Sequence, residues 1–299
     1  MKAGRDTMRL RVEALDLLHK RFPALEFHDV RIVEDGWDSL VLDLDGEWIV
    51  RFPRSPEVEQ WVEREITLLP ELAETLPVAV PHFQLVVRNG IVCVGYRKLP
   101  GAPASSDLGV RTGEDLGRFL SALHRFPVER ARALGLPYFD PPEWRERFGS
   151  LCEDFRRRVF PLLRSDERQR AETIFARVPE LDFVPVLLHA DLGPEHILCR
   201  DGRVVGVIDW SDARVGDAAL DLSWCLNATT TEVADAVAGT YRVDADVRER
   251  SLFYHRLGPW CEVAYGLETG QERFVASGVG GVRARLPVRR HGSAHDVRA

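Results

Sequence analysis

The chain has 299 residues, of which 45% are hydrophobic and 29% charged, and its formal net charge is −7. This length and composition are typical of a soluble globular protein with one large domain or two modest lobes. The negative charge argues against nucleic acid as a partner, and no apolar run approaches the roughly 20 residues of a membrane helix.

The N-terminal segment, residues 1–21, mixes charged residues with apolar ones and therefore lacks the uninterrupted apolar core of a secretion signal. We expect a cytoplasmic protein without a membrane or nucleic-acid partner, and a monomer. The five cysteines are widely scattered and include no CxxC pair. This pattern favours buried reduced thiols over a disulfide framework or a zinc site.

The first hundred residues predict a helix, a meander of strands, a second helix and a hairpin. Val12, Leu15 and Leu18 recur at helical spacing within residues 8–21. Asp-Gly and Asn-Gly pairs separate short runs of β-forming residues and predict turns. The predicted strands are 30–33, 39–44, 47–52, 82–87 and 91–96, with turns at Asp35-Gly36, Asp45-Gly46 and Asn89-Gly90 and a helix over 57–69.

The character of the sequence changes at residues 99–103 (LPGAP), which are rich in turn formers and predict a hinge. Beyond it the pattern is mainly helical, over 111–125, 142–177 and again to about 276, with short strands near 187–209. We therefore predict an α+β protein in three parts. They are an antiparallel-sheet N-terminal lobe over 1–98, a mainly helical C-terminal lobe over 99–280, and a partly disordered basic tail over 281–299.

The stretch 187–221 carries the pattern with the most chemical content. Two apolar strands, 197–199 and 204–208, flank an Asp-Gly turn and predict a hairpin. Because the outer ends of an antiparallel hairpin meet, Asp191, His196 and Asp209 are expected to converge. Phosphoryl transfer needs a carboxylate that orients the attacking hydroxyl and ligands for the metal that bridges the phosphates.

The ordered set HAD (189–191), His196 and IDW (208–210) resembles the catalytic and metal-binding motifs of the aminoglycoside and macrolide phosphotransferase family, whose members are relatives of protein kinases. The resemblance covers about residues 30–275. In layout it is closest to aminoglycoside 2''-phosphotransferases. It implies a bilobal protein-kinase-like fold.

The resemblance also implies roles for the matching residues. Asp191 would lie beside the acceptor hydroxyl, and His196 with Asp209 would hold Mg²⁺. His189 and Asp217 would support the catalytic loop structurally. A loop histidine without a metal role remains the alternative for His196, because Mg²⁺ prefers oxygen ligands.

The same resemblance assigns a nucleotide site, with ATP or GTP as phosphate donor. Arg51 occupies the strand position where kinases place a lysine, and Glu65 is its expected helix partner, with Glu63 as second choice. Ser39 belongs to a turn that approaches the nucleotide. The backbone groups predicted to face the nucleobase are those of Arg97 and Leu99.

The predicted acceptor is a small-molecule antibiotic, and the acidic C-terminal half suits a cationic aminoglycoside. The candidate substrate-binding residues are Asp212, Glu262, Glu268 and Trp260. One departure weakens the aminoglycoside assignment: Cys261 stands where the aminoglycoside enzymes place an acidic ligand.

The sequence therefore predicts a magnesium-dependent antibiotic O-phosphotransferase that confers resistance by phosphorylating an aminoglycoside hydroxyl. A macrolide 2'-phosphotransferase is the nearest alternative, since the segments RFPRSPEV and IDWSDARVGD are at least as similar to those enzymes. Another small-molecule kinase of the same fold, acting on an amino alcohol or a sugar, is a further alternative. A catalytically silent nucleotide-binding protein is the last, favoured by arginine in place of lysine at position 51.

Overall fold

The computed structural model describes residues 2–35, 38–88, 92–105 and 108–288. Its helices are α1 (Lys2–Arg21), α2 (Pro56–Thr75), α3 (Val110–Leu123), α4 (Val128–Ala133), α5 (Pro141–Arg158), α6 (Ser165–Phe175), α7 (Leu222–Asn227), α8 (Thr231–Tyr241), α9 (Ala245–Thr269) and α10 (Glu272–Arg285). Its strands are β1 (Val30–Asp35), β2 (Ser39–Leu44), β3 (Trp48–Pro53), β4 (Phe83–Val87), β5 (Cys93–Arg97), β6 (Ala102–Pro103), β7 (Val186–Leu188), β8 (Ile197–Arg200), β9 (Arg203–Val207) and β10 (Arg214–Gly216). No helix in these ranges combines the length and the apolar character that a membrane span requires.

Five antiparallel strands form the N-terminal sheet in the order β1-β2-β3-β5-β4. The five predicted strands match the observed ones within two residues at each end. Asp45 and Gly46 both have positive φ, 55° and 71°, which is the geometry of the tight turn that an Asp-Gly pair favours. Gly36 of the turn predicted at Asp35-Gly36 and both residues of the turn predicted at Asn89-Gly90 lie outside the described residues.

The two faces of the sheet have different partners. Leu40, Leu42 and Leu44 pack with Ala14 and Leu18 of α1 in one buried apolar cluster. Because side chains alternate along a strand, the odd-numbered residues of β2 and β3 face the other way. That second face carries Arg51 of β3, the residue predicted to bind the nucleotide phosphates.

Helix α2 begins where the sequence signals it. Ser55 is the N-cap, and its hydroxyl accepts a hydrogen bond from the Val58 amide at 3.3 Å. The helix does not end at Leu69 as predicted but continues through Pro70 to Thr75, because Leu72 extends its buried face. After α2, Ala79 pairs with β9: its amide donates to the Val205 carbonyl at 3.1 Å. The helix and the β8–β9 hairpin are thereby tied together.

The hairpin predicted from residues 197–208 is present as β8 and β9, and β6 adds a third strand beside β8. Gly101 precedes β6 with φ of 102°. A Cβ atom there would lie 2.9 Å from the Cys199 carbonyl oxygen and 2.9 Å from the Val205 side chain. Only glycine allows the segment predicted as a hinge to approach the hairpin this closely.

The chain forms two compact units. The first comprises residues 1–138, 186–215 and 229–242, and the second comprises residues 139–185, 216–228 and 243–299. Residues 99–103 lie within the first unit, and the predicted lobe boundary between residues 98 and 99 stays a prediction. The second unit is mainly helical, and its core contains Trp144, whose indole Nε1 donates to the Tyr254 hydroxyl at 2.8 Å.

The predicted tail is wrong over its first five residues, because α10 continues to Arg285. Val282 and Leu286 are buried at helical spacing. The glycines that suggested irregular chain are required for packing instead: a Cβ atom at Gly278 would lie 2.8 Å from the Val263 amide nitrogen of α9 and 2.9 Å from the Pro259 carbonyl oxygen. Residues 289–299 lie outside the described part of the chain.

Asp115 ties α3 to β9 and provides a test of this packing. Its buried carboxylate accepts hydrogen bonds from Arg203 at 2.6 and 2.9 Å, from Arg118 at 2.7 Å and from the Val204 amide at 3.2 Å. Burial opposes its charge, but these donors outweigh burial and hold the pKa of Asp115 below its usual value. The folded state therefore favours the ionised carboxylate.

We expect Asp115→Asn to lower the free energy of unfolding at neutral pH by about 1–3 kcal/mol. Because the folded-state pKa is lowered, this stability is present above the unfolded-state pKa of about 3.9 and is lost as pH falls through the folded-state value. The difference between wild type and variant in urea denaturation should shrink from pH 6 to pH 3. Glu114→Gln, a change at an exposed neighbour, is the control. A difference that is independent of pH would contradict the assignment.

Candidate active site

The β8–β9 hairpin brings together the three residues that the sequence singled out. Asp191 and His196 lie in the segment before β8, and Asp209 follows β9. His196 Nδ1 is 3.6 Å from Asp191 Oδ2, and His196 Nε2 is 3.6 Å from Asp209 Oδ2. The imidazole thus stands between the two carboxylates, as the hairpin pattern predicts.

The backbone is strained at two places within this cluster. Among the described residues other than glycine, five have positive φ. Asp45 and Asp201 belong to Asp-Gly turns and Arg242 caps the end of α8. The remaining two are Ala190, with φ of 70°, and Asp209, with φ of 62°. Strain that no turn or cap requires is typical of functional sites.

His189 holds the loop from within. It is fully buried, and its Nε2 donates to the Ile208 carbonyl at 2.9 Å, since a carbonyl oxygen can only accept. Its Nδ1 is therefore free to accept, and it receives the Asp191 amide at 3.3 Å. These two bonds join the catalytic-loop candidate to the end of β9. These two hydrogen bonds are what a structural role of His189 in the loop requires.

His196 is oriented by one hydrogen bond. Its Nδ1 donates to the Asp191 carbonyl at 2.7 Å, which places the proton on Nδ1 and leaves the lone pair on Nε2. That lone pair lies on the side of the ring facing Asp209. Burial of the imidazole disfavours its protonated form. The negative charge of Asp209 outweighs burial and raises the pKa of His196 above its usual value.

Asp209 is held ionised by its surroundings. Burial favours the neutral acid, but Arg51 and His196 outweigh it and lower the pKa of Asp209. The Ser211 hydroxyl donates to Asp209 Oδ1 at 2.9 Å, which leaves Oδ2 directed towards His196. A carboxylate oxygen and an imidazole nitrogen at 3.6 Å, each oriented by a second hydrogen bond, fit a shared divalent cation, because two ligands about 2.1 Å from one ion lie at least about 3 Å apart.

Asp191 has a different environment. Its carboxylate is 58% exposed and points towards solvent. The surrounding protein disfavours its charge, and Asp212 adds a negative charge nearby; together these outweigh His196 and raise the pKa of Asp191. An accessible carboxylate with a raised pKa is a better proton acceptor than an ordinary aspartate.

Arg51 pairs with Glu65 as predicted. One guanidinium nitrogen, Nη1, donates to both carboxylate oxygens at 3.0 and 2.9 Å, and the two side chains are 9% and 1% exposed. Although burial opposes its charge, Glu65 and Asp209 raise the pKa of Arg51. Glu63, the second choice, faces outward and pairs with Arg88 at 2.8 Å.

A cavity of about 270 Å³ lies between the sheet face of β2 and β3 and the hairpin. Its walls are largely apolar, and its charged end holds Arg51 and Asp209. Ser39 is 2% exposed, and its hydroxyl has no hydrogen-bond partner among the described residues. The lining residues are Val33, Asp38, Ser39, Val41, Ile49, Arg51, Tyr96, Lys98, Leu99, Gly101, Pro103, Leu198, Ile208 and Asp209.

The residues predicted to face the nucleobase are placed unequally. Leu99 lines the cavity. The side chain of Arg97 turns away from it, lies 4.3 Å over the Trp48 ring and bonds Glu47 at 2.5 Å. The sequence predicts that the backbone of Arg97 faces the nucleobase, and only this backbone remains a candidate for that contact.

The described partners of Asp217 lie within its own unit, and its predicted support of the catalytic loop stays a prediction. The carboxylate is fully buried and accepts from Arg250 at 2.8 Å, from the Tyr254 hydroxyl at 2.9 Å and from the Ala219 amide at 3.0 Å. These partners lie in the second unit, so Asp217 organises the helical core around Trp144.

One of the substrate-binding candidates needs correction. Trp260 is fully buried, with ring centroids 5.0 Å from Phe175 and 5.7 Å from Phe155, and is therefore a core residue that no substrate reaches. Asp212 in the first unit forms an ion pair with Arg214. Among the candidates of the second unit, Glu268 is exposed and lies 3.8 Å from Arg158, whereas Glu262 is half-buried.

Two polar contacts at the site were missed. Lys98 lines the cavity and donates to Asp43 at 2.6 Å. The signal was Asp43 itself, an acid in the otherwise apolar strand SLVLDL. Ser211 orients Asp209, and its signal was a hydroxyl two residues after that aspartate, the spacing of local side-chain hydrogen bonds.

Comparison with known proteins identifies relatives of this arrangement. The model of the APH phosphotransferase enzyme family matches residues 29–254. Viomycin phosphotransferase of Streptomyces vinaceus is 28% identical over 200 residues, which are 57% of this chain and 66% of that protein. The match thus spans just under two thirds of that relative.

Two solved structures resemble the fold. The GDP and kanamycin complex of APH(2")-IIIa has a TM-score of 0.82 at 23% identity, covering 92% of this chain and 98% of the other. Macrolide 2'-phosphotransferase MphH from Brachybacterium faecium has a TM-score of 0.71 at 25% identity, covering 93% and 99%. The antiparallel sheet followed by a helical portion is therefore the kinase-like fold that the sequence predicted.

The Arg51–Glu65 pair can be tested by its effect on stability. We expect Glu65→Ala to lower the free energy of unfolding by about 3–5 kcal/mol, because it leaves the Arg51 charge buried without a partner. Glu63→Ala, which breaks an exposed pair on the same helix, should cost less than about 1 kcal/mol. Urea denaturation followed by tryptophan fluorescence measures both. Equal losses would show that Arg51 does not depend on Glu65.

Proposed function

Because this chain belongs to the phosphotransferase enzyme family, we propose that it transfers the terminal phosphate of ATP or GTP to a hydroxyl of a small-molecule antibiotic, with an aminoglycoside as first candidate. The observation that carries the proposal is the convergence of Asp191, His196 and Asp209 at the end of one hairpin, beside a cavity with Arg51 at its charged end. Such a reaction would confer resistance to the antibiotic.

The cavity supports a nucleotide as donor. Its apolar walls suit a planar base, and Leu99 lies among them. At the other end, the guanidinium of Arg51 and the unpartnered hydroxyl of Ser39 are groups that phosphate oxygens can engage. GDP is bound in the aminoglycoside relative compared above. Neither adenine nor guanine is favoured by the lining.

His196 and Asp209 are the residues that would hold a divalent cation, Mg²⁺ in the first instance. When bound, such an ion neutralises charge that develops on the phosphates during transfer. The residues themselves contribute orientation: Ser211 fixes one oxygen of Asp209, and the Asp191 carbonyl fixes the ring of His196. The two metal-binding side chains are thus oriented before the cation or the nucleotide binds.

Asp191 would orient the acceptor hydroxyl and accept its proton. Its carboxylate is accessible, and its raised pKa suits a proton acceptor. Its backbone is fixed on both sides, by the bond from its amide to His189 and by the bond from His196 to its carbonyl. A rigid loop with one exposed carboxylate positions a hydroxyl for in-line attack.

The acceptor class has weaker support than the reaction. Within the first unit, Asp212 is an acidic group suited to the amines of an aminoglycoside, although it already pairs with Arg214. A macrolide is the second candidate. It is favoured by Cys261, which is exposed where the family places an acidic ligand, and by the likeness to the macrolide enzyme.

We expect Asp191→Asn to lower turnover by roughly 10²–10⁴ in a coupled nucleotide assay, the usual contribution of a positioned proton acceptor. Nucleotide affinity should be unchanged, because Asp191 is not among the residues that line the cavity. The control is Asp182→Asn, at an exposed position before β7. Unchanged turnover in the Asp191 variant would refute the role.

The acceptor is tested by incubating the protein with ATP and GTP in parallel and with kanamycin, a macrolide or viomycin as acceptor. We expect mass spectrometry to detect a phosphorylated aminoglycoside. A phosphorylated macrolide alone would establish the second candidate. Nucleotide binding without any phosphorylated product from a wide acceptor panel would indicate a silent nucleotide-binding protein and contradict the proposed transfer.

A further inference from the structure

We propose that His196 gives the cation site of this chain a preference for Mn²⁺ and other first-row transition-metal dications over Mg²⁺. The inference rests on the proposed function, since it concerns the cation that accompanies the nucleotide. It adds a specificity-determining role for one side chain.

The atom that His196 presents is a nitrogen lone pair. Its Nδ1 donates to the Asp191 carbonyl at 2.7 Å, so in the neutral ring the lone pair lies on the other nitrogen, Nε2. Nε2 is the atom that faces Asp209, at 3.6 Å from Oδ2. A carbonyl bond to one nitrogen that leaves the second free is how proteins prepare a histidine for metal binding.

No small movement of the His196 side chain can present a donor atom other than this nitrogen. The His196 side chain is only 15% exposed, and its ring lies 5.9 Å from that of His189. Turning the ring over would break the bond to the Asp191 carbonyl and place the ring carbon Cδ2 against that oxygen in place of a nitrogen donor. An asparagine at this position would instead offer an amide oxygen. The choice of histidine therefore fixes the donor type.

The donor type decides the preference. Mg²⁺ is a hard cation that demands oxygen ligands, whereas imidazole nitrogen favours first-row transition metals, whose affinity for a nitrogen and oxygen site rises from Mn²⁺ towards Cu²⁺. Asp209 contributes an oxygen that either kind of cation accepts. Of the two protein ligands, His196 is thus the one that discriminates, and its replacement should move selectivity more than it moves total affinity.

The first experiment measures selectivity in the full chain with ADP present. Mn²⁺ binding is followed by the loss of the free-ion electron paramagnetic resonance signal, and Mg²⁺ binding by competition. We expect wild type to bind Mn²⁺ at least about tenfold more tightly than Mg²⁺, and His196→Asn to reduce that ratio by about tenfold. His82→Asn, at an exposed position before β4, is the matched control and should keep the wild-type ratio.

The second experiment detects the ligand directly and does not depend on a variant that folds. Electron spin echo modulation of the Mn²⁺–ADP complex should show coupling to a histidine nitrogen, and labelling the protein with ¹⁵N-histidine should shift its frequency, which nucleotide nitrogens cannot do. The coupling should be absent in His196→Asn and present in His82→Asn. Equal affinity of wild type for both cations, or no labelled coupling, would overturn the inference.

These results separate the inference from the proposed function. A protein that phosphorylates an acceptor but shows no histidine coupling would refute the cation preference and leave the function standing. A protein with the coupling and the selectivity that phosphorylates no acceptor would refute the function and support the preference.

Discussion

The hydrogen bond from His196 to the Asp191 carbonyl is the contact on which the candidate site depends. It fixes the loop that presents the Asp191 carboxylate, and it determines which ring nitrogen faces Asp209. His189 completes the arrangement by joining the same loop to the end of β9. A single loop conformation therefore sets the positions of the proposed proton acceptor and of the two proposed metal ligands.

The placement of these residues could be predicted because the rules involved are local. An Asp-Gly pair between apolar runs specifies a hairpin, and a hairpin brings its outer ends together, so Asp191 and Asp209 had to meet. Alternation along β3 likewise places Arg51 on the face opposite the leucine core. Glu65 was expected as the partner of Arg51 from the resemblance to kinases, and the buried face of α2 contains Glu65 and excludes Glu63.

The failures concern contacts between elements that are distant in the sequence. Trp260 could equally have lined a pocket or filled a core, and only the positions of Phe155 and Phe175 decide between them. The glycines of α10 suggested a disordered tail, but they are needed for the close approach of α10 to α9. No local sequence pattern encodes that approach. The support role of Asp217 was assigned by motif and stays a prediction, and two of its described partners come from α9, far along the chain.

The balance of charge around the cavity explains why these parts are needed together. The positive charge of Arg51 is already offset by Glu65, and that of Lys98 by Asp43. Asp209 then adds a negative charge at the end of the cavity where phosphates would lie. A polyanion cannot be stabilised there by the side chains alone, because like charges in a partly buried site repel strongly. Under the proposed function, the carboxylate that would repel a bare phosphate would attract a cation, so a nucleotide would bind there as its complex with a divalent ion.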